Sequence, residues 1–167
     1  MDCKLRSFSD IVDVDEGIVI AAAFGYAISR FTGSTHSLFL CHRNGKVFPL
    51  VTDCSNRSVT EYLKSVSENY DLSFDLTSTV QVESDIALSF TGIVDSGICF
   101  SIRLSDKITV EYRNSSDYLP FTIEKLAKVF DMVLAGMMSS ASLSDIIFLS
   151  EHDVELTDVN SNLNFGA

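Results

Sequence analysis

The chain has 167 residues, 46% of them hydrophobic and 21% charged, with a formal net charge of -11. That length suits one domain that can bury its own core, and the composition is that of an ordinary globular protein. The acidic balance argues against the basic stripe that nucleic acid or an anionic membrane surface requires, and reads first as a solvated, self-repelling exterior.

Residues 1–10 are polar and mixed in charge and lack a secretory apolar core. Cys3, Cys41, Cys54 and Cys99 show no C-x-x-C spacing, so reduced thiols in a cytoplasmic protein are the expectation. The longest apolar run, around 18–28, is shorter than the roughly 20 residues that span a bilayer, so no membrane anchor is expected.

The first clear helix follows Asp15, a residue type that caps helix N-termini, and ends before Gly33, where a left-handed C-cap belongs. Its run I-V-I-A-A-A-F-G-Y-A-I is apolar on nearly every face, which predicts a central helix covered on both sides. Gly25 inside it costs about 1 kcal/mol relative to Ala, a cost that close packing would offset. Two strands, 36–42 and 46–52, are joined by Arg43-Asn44-Gly45, a hairpin signal. Residues 59–70 read as an amphipathic helix with Val59, Tyr62, Leu63 and Val66 as its stripe, and 69–83 as irregular. From Asp85 the period becomes two, through Ile86, Leu88 and Phe90, then Ile98 to Leu104, then Ile108 to Tyr112. That predicts three half-buried antiparallel strands in a meander. A helix over 122–138 would cover them with Ile123, Leu126, Phe130, Val133, Leu134 and Met137. Residues 139–142 read as a linker and 145–149 as a final strand, with a polar tail after them. The sum is a single α+β unit.

The stretch H-S-L-F-L-C-H, residues 36–42, holds two of the three histidines. In a strand His36 and His42 share a face but stand about 20 Å apart at 3.3 Å per residue. One metal ion, with ligands about 2 Å away, cannot join them. Cys41 points to the face opposite His42, so the two form no dyad, and the strand is expected to be buried on much of both faces. Asp10, Asp13, Asp15 and Glu16 lack EF-hand spacing, and carboxylates at a helix start answer to its dipole. Asp71 and Asp75 form a carboxylate pair with no fixed geometry, and His152 lies in a polar segment. The Met137-Met138 pair fits core filling better than an adaptable groove. There is no phosphate cradle, zinc motif or nucleophile elbow, so no cofactor or metal site is expected.

Several strings resemble a known family. A-F-G-Y-A-I-S-R-F-T-G is similar to the helix that starts the C-terminal lobe of condensation domains of nonribosomal peptide synthetases. V-F-P-L-V-T-D-C-S and S-V-T-E-Y-L-K-S-V resemble the strand and helix after it. I-C-F-S-I-R-L-S-D-K-I-T-V-E-Y-R with F-T-I-E-K-L-A-K-V-F-D-M-V-L resembles the later hairpin and long helix, and L-S-D-I-I-F-L-S-E-H-D the closing strand. The resemblance covers about residues 16–153, half of such a domain. The tail D-V-N-S-N-L-N-F-G-A is similar to the stretch before the adenylation domain in fungal α-aminoadipate reductases.

This resemblance implies half of a chloramphenicol-acetyltransferase-like fold: a single mixed, mainly antiparallel sheet covered by helices. It implies a condensation-like half-domain over 1–153, and a tail over 154–167 leading toward an adenylation domain. The implied parent is an ATP- and NADPH-dependent α-aminoadipate reductase of lysine biosynthesis or a nonribosomal peptide synthetase. The implied partners are the adjacent adenylation and carrier domains, or a second copy of the chain. Two departures bear on catalysis. The H-H-x-x-x-D-G motif of full condensation domains is absent, as is the D-F-G-W-G signature, and there is no tryptophan. The leading expectation is therefore a noncatalytic docking module. The alternatives are acyl transfer at a reassembled two-lobe site, with His36 or His42 as the base, and a stand-alone α+β dimerisation module.

Overall fold

A computed structural model describes residues 2–75, 84–94, 96–104, 108–115 and 120–146. Helix α1 (Asp2–Val12) precedes α2 (Glu16–Thr32), and the hairpin β1 (His36–Arg43) and β2 (Lys46–Asp53) leads to α3 (Val59–Asp75). Strands β3 (Ile86–Ser89), β4 (Ile98–Leu104) and β5 (Ile108–Asn114) follow, then α4 (Pro120–Met137). The five strands form one sheet in the order β2-β1-β3-β4-β5.

Local chemistry sets the first half as expected. The Asp15 carboxylate accepts from the Gly17 N–H at 3.1 Å at the start of α2, and Gly33 closes it with φ 77. Asn44 (φ 53) and Gly45 (φ 76) both take the left-handed conformation that a two-residue hairpin turn requires, which sets the β1–β2 register to Arg43 opposite Lys46.

The sheet is mainly antiparallel by its long ladders, β1 with β2 and β4 with β5, but its centre is not a meander. Strand β3 runs parallel to both β1 and β4. Alternation reports which face a residue occupies and is silent on strand direction; here β4 starts alongside Ile86, at the same end of the sheet as β3. Strand β4 is also buried on both faces from Ile98 to Ile102, and on the far face the Val94 N–H meets the Cys99 sulfur at 3.5 Å.

Two further boundaries move. Helix α3 continues to Asp75, since Tyr70 and Phe74, one turn apart, both pack edge-on against Phe48 at ring distances of 5.0 and 5.4 Å. Leu143–Asp145 is a single 3-10 turn where a strand over 145–149 is expected; residues 147–149 lie outside the described residues. The segment before it is no free linker, because Val59 N–H bonds the Ala141 carbonyl and Leu143 N–H the Arg57 carbonyl, both at 2.9 Å. Helix α1 was not anticipated, although Leu5, Phe8 and Val12 stand at helical spacing and Leu5 is wholly buried.

The core lies between one face of the sheet and the helices. Phe24 of α2 touches Phe39 of β1 and Phe100 of β4 at 5.0 Å and Phe130 of α4 at 5.6 Å. Next to it Gly25 lets α2 descend onto the hairpin: a Cβ there would come within 2.6 Å of the Thr52 hydroxyl. A buried polar chain then fastens the layers. Ser37 and Thr52 share a hydrogen bond, Thr52 Oγ1 reaches Cys54 Sγ at 3.2 Å, and the Tyr62 hydroxyl sits 3.5 Å from that sulfur and donates to the Ala22 carbonyl at 2.7 Å.

Because Phe24 joins three elements besides its own, its truncation leaves a cavity that no single neighbour can fill. Phe24→Ala is expected to lower unfolding free energy by about 3–5 kcal/mol, read from urea unfolding monitored by circular dichroism.

Candidate functional site

The period of two in β1 places Ser37, Phe39 and Cys41 on the core face and His36, Leu38, Leu40 and His42 on the other. The structure corrects the expectation that this strand is buried on both faces: Leu38 is 38% exposed and His36 is open to solvent. Phe24 of α2, Tyr70 of α3 and Phe130 of α4 all meet the opposite, core face. The histidines thus stand on the open face of the sheet. Cross-strand pairs set them among apolar neighbours, with Leu38 opposite Val51, Leu40 opposite Pro49 and His42 opposite Val47.

The two histidines have different surroundings. His36 sits at the sheet corner, where its Nδ1 is 3.1 Å from the Thr35 hydroxyl and its Nε2 is 3.8 Å from the Asp53 carboxylate. Hydrogen bonds from Ser55, aided by Arg57 and His36, hold Asp53 below the usual carboxylate range. His42, near the far end of the strand, lies between Val47 and Ser89. Burial lowers its pKa from 6.5, so the neutral imidazole is favoured there. Cys41, on the core side, is pushed up to about 12 by burial and is an inert thiol at neutral pH.

Arg43 continues β1 on the core side and reaches three further segments. Its guanidinium bonds the Asp15 carboxylate at 2.6 Å and the Tyr70 hydroxyl at 3.2 Å, and lies over the Phe90 ring at 5.0 Å. A Cβ on Gly17 would fall 2.3 Å from it. This cation is committed to holding the start of α2 against α3 and the end of β3.

The remaining candidates do not converge. Asp15 is spent on its cap and on Arg43, and Glu16 pairs with Arg6 at 3.6 Å, while Asp10 and Asp13 are exposed. Asp71 and Asp75 are exposed on α3. Among the described residues no group of three His, Cys, Asp or Glu stands where one metal ion would be held, and His152 lies outside them. Met137 is wholly buried, but Met138 lines a shallow groove of about 900 Å³. Phe8 and Ile11 of α1 form its other wall, and Ile11 is 81% exposed. What the arrangement offers chemically is surface for binding: an open sheet face and a groove.

No protein-family model matches the chain, and no curated protein sequence matches it significantly. Solved structures do. The first condensation domain of the calcium-dependent antibiotic synthetase, in complex with a substrate analogue, superposes with a TM-score of 0.70 at 13% identity, over 88% of this chain and 44% of that one. The epimerization domain from the third module of tyrocidine synthetase B gives 0.66 at 12%, over 83% and 46%. The condensation domain of the Monacolin K polyketide synthase gives 0.64 at 11%, over 85% and 46%. The chain thus has half of the chloramphenicol-acetyltransferase-like fold of condensation domains and spans less than half the length of each of these three structures.

The position of His42 has a measurable consequence. Its folded pKa lies below the unfolded value, so below about pH 6.5 the unfolded state binds the extra proton and stability falls as pH drops toward the folded pKa. Substituting His42→Gln is expected to flatten the dependence of Tm on pH in that window, and an NMR titration of the wild-type ring to show a midpoint under 6.5.

Proposed function

We propose that this chain is a noncatalytic condensation-like module that docks on neighbouring adenylation and carrier domains. The larger enzyme would be a cytoplasmic α-aminoadipate reductase or nonribosomal peptide synthetase. The observation that carries this reading is the single lobe. The fold covers less than half of the condensation-type domains compared with it, and its two candidate bases stand about 20 Å apart on an open sheet face. In this reading residues 1–153 correspond to the C-terminal lobe, and 154–167 form the linker toward the adenylation domain. The open β1–β2 face, with Leu38, Val47 and Val51 exposed, is apolar area suited to contact with a folded neighbour.

A second reading rests on His42. Burial favours its neutral form, the state a general base needs, and an added lobe would supply the other wall of a transfer channel.

One experiment separates the two. The intact chain is titrated into an adenylation–carrier fragment of an α-aminoadipate reductase, with binding followed by calorimetry and adenylation by ATP–pyrophosphate exchange. Docking is expected to give a binding isotherm that Val51→Asp abolishes and His42→Ala leaves unchanged. Acyl transfer from a loaded carrier, lost in a folded His42→Ala variant, would establish the enzymatic reading instead. Neither binding nor transfer would reject both.

A further inference from the structure

Helix α1 is only half engaged with the core. Leu5 is wholly buried, and Val12 packs against the buried cluster. Lys4, Phe8 and Ile11 stand at helical spacing on a second face, where Phe8 is partly buried and Ile11 is 81% exposed. Across from them Ala135, Met138 and Ser139, at the end of α4, complete the groove of about 900 Å³. One isoleucine in water needs no explanation. Here it forms a wall of an apolar hollow together with a phenylalanine and a methionine, which is surface of the kind that receives a partner.

The last described residue lies beside this groove. After the 3-10 turn Leu143–Asp145, Ile146 packs back on α4: a Cβ built on Gly136 would fall 2.6 Å from its Cγ2 and 3.6 Å from its Cα. Gly136 adjoins Ala135 and stands three residues before Ser139, so Ile146 sits on a flank of the helix whose next face lines the groove. A helix with its side chains is about 10 Å across and an extended residue spans about 3.3 Å, so about three residues beyond Ile146 reach the groove.

Those residues match the groove in chemistry. Ile147, Phe148 and Leu149 are an apolar run, followed by Ser150, Glu151, His152 and Asp153. Lys4, which lines the groove, is exposed and in no ion pair among the described residues, and Glu151 comes two positions after Leu149. A segment tethered by so short a link is present at an effective concentration of about millimolar. That sets it ahead of a second copy or a separate protein for the same surface.

We propose that the groove between α1 and α4 is the seat of Ile147, Phe148 and Leu149 of the same chain, with Glu151 brought toward Lys4. Burial of the apolar run against Phe8, Ile11 and Met138 supplies the attraction, and the charge pair favours one direction of the segment. This seat is independent of the docking reading, which uses the open sheet face.

Two measurements on the intact chain test it. In the first, thermal unfolding is followed by circular dichroism for Ile11→Gln, Phe148→Gln and the double variant. A side chain as exposed as Ile11 ordinarily accepts glutamine without loss. Covered by Phe148, it is expected to lose about 4 °C of Tm on substitution, as is Phe148→Gln. The double variant should fall little below either single one, because both remove the same contact. In the second, limited chymotrypsin digestion is expected to cut slowly after Phe148 and Leu149, and about tenfold faster in Ile11→Gln. An Ile11→Gln chain with unchanged Tm and unchanged cleavage would overturn the proposal, whatever Phe148→Gln does. Additive losses in the double variant would do the same. Protection that appears only as protein concentration rises would give the groove to a second copy, and so reject the intramolecular seat.

Discussion

Phe24 meets Phe39, Phe100 and Phe130 at ring distances of 5.0 to 5.6 Å, and this contact ties α2 at once to the hairpin, the centre of the sheet and α4. It is possible only because the helix lies close to the strands. Gly25 provides that closeness, since any side chain there would strike Thr52 and Ser37. In the same helix Ala21, Ala22, Ala23 and Ala27 are wholly buried, short side chains that allow close approach of neighbouring elements. A helix with no polar face has to be surrounded, and the rest of the chain surrounds it.

The polar groups drawn into this core are satisfied in sequence. Ser37, Thr52, Cys54 and Tyr62 form a chain that ends on the Ala22 carbonyl, and Arg43 is matched by Asp15 and Tyr70 at the edge. Buried polar groups that find partners specify how layers meet, because a shifted layer would leave several of them unpaired. The same economy explains why these residues are poor candidates for chemistry. Their lone pairs and protons are already engaged, and burial pushes the Cys41 thiol up to about 12.

The opposite face of the sheet has a different character. Small residues, Ala87, Ser89 and Cys99, are buried in its centre, while Leu38, Val47 and Val51 remain open on the β1–β2 side. The described helices pack on the core side, so this apolar surface on the β1–β2 side stays open. At the β2 edge Pro49 removes a backbone donor and Asn69 of α3 donates to the Val51 carbonyl at 3.1 Å.

Much of this was legible in the sequence by itself. Asp15, Gly33 and Asn44-Gly45 act through their own backbone geometry, so they announced the ends of α2 and the hairpin turn without reference to distant residues. The apolar girth of α2 likewise foretold its burial, and the alternation in β1 separated His36 from His42 by distance and Cys41 from both by face. Strings resembling condensation domains pointed to the half-fold that the structure has. Only the tertiary structure decided what depends on residues far apart in the chain. The direction of β3 was one such matter, because alternation is the same in parallel and antiparallel strands. Another was the length of α3, which Phe48 extends by receiving Tyr70 and Phe74. Which face of β1 stays open was a third, since only the packing of three helices on one side leaves the histidine side uncovered. Local signals encode where an element begins and ends; what lies against it is settled by the packing of the whole chain.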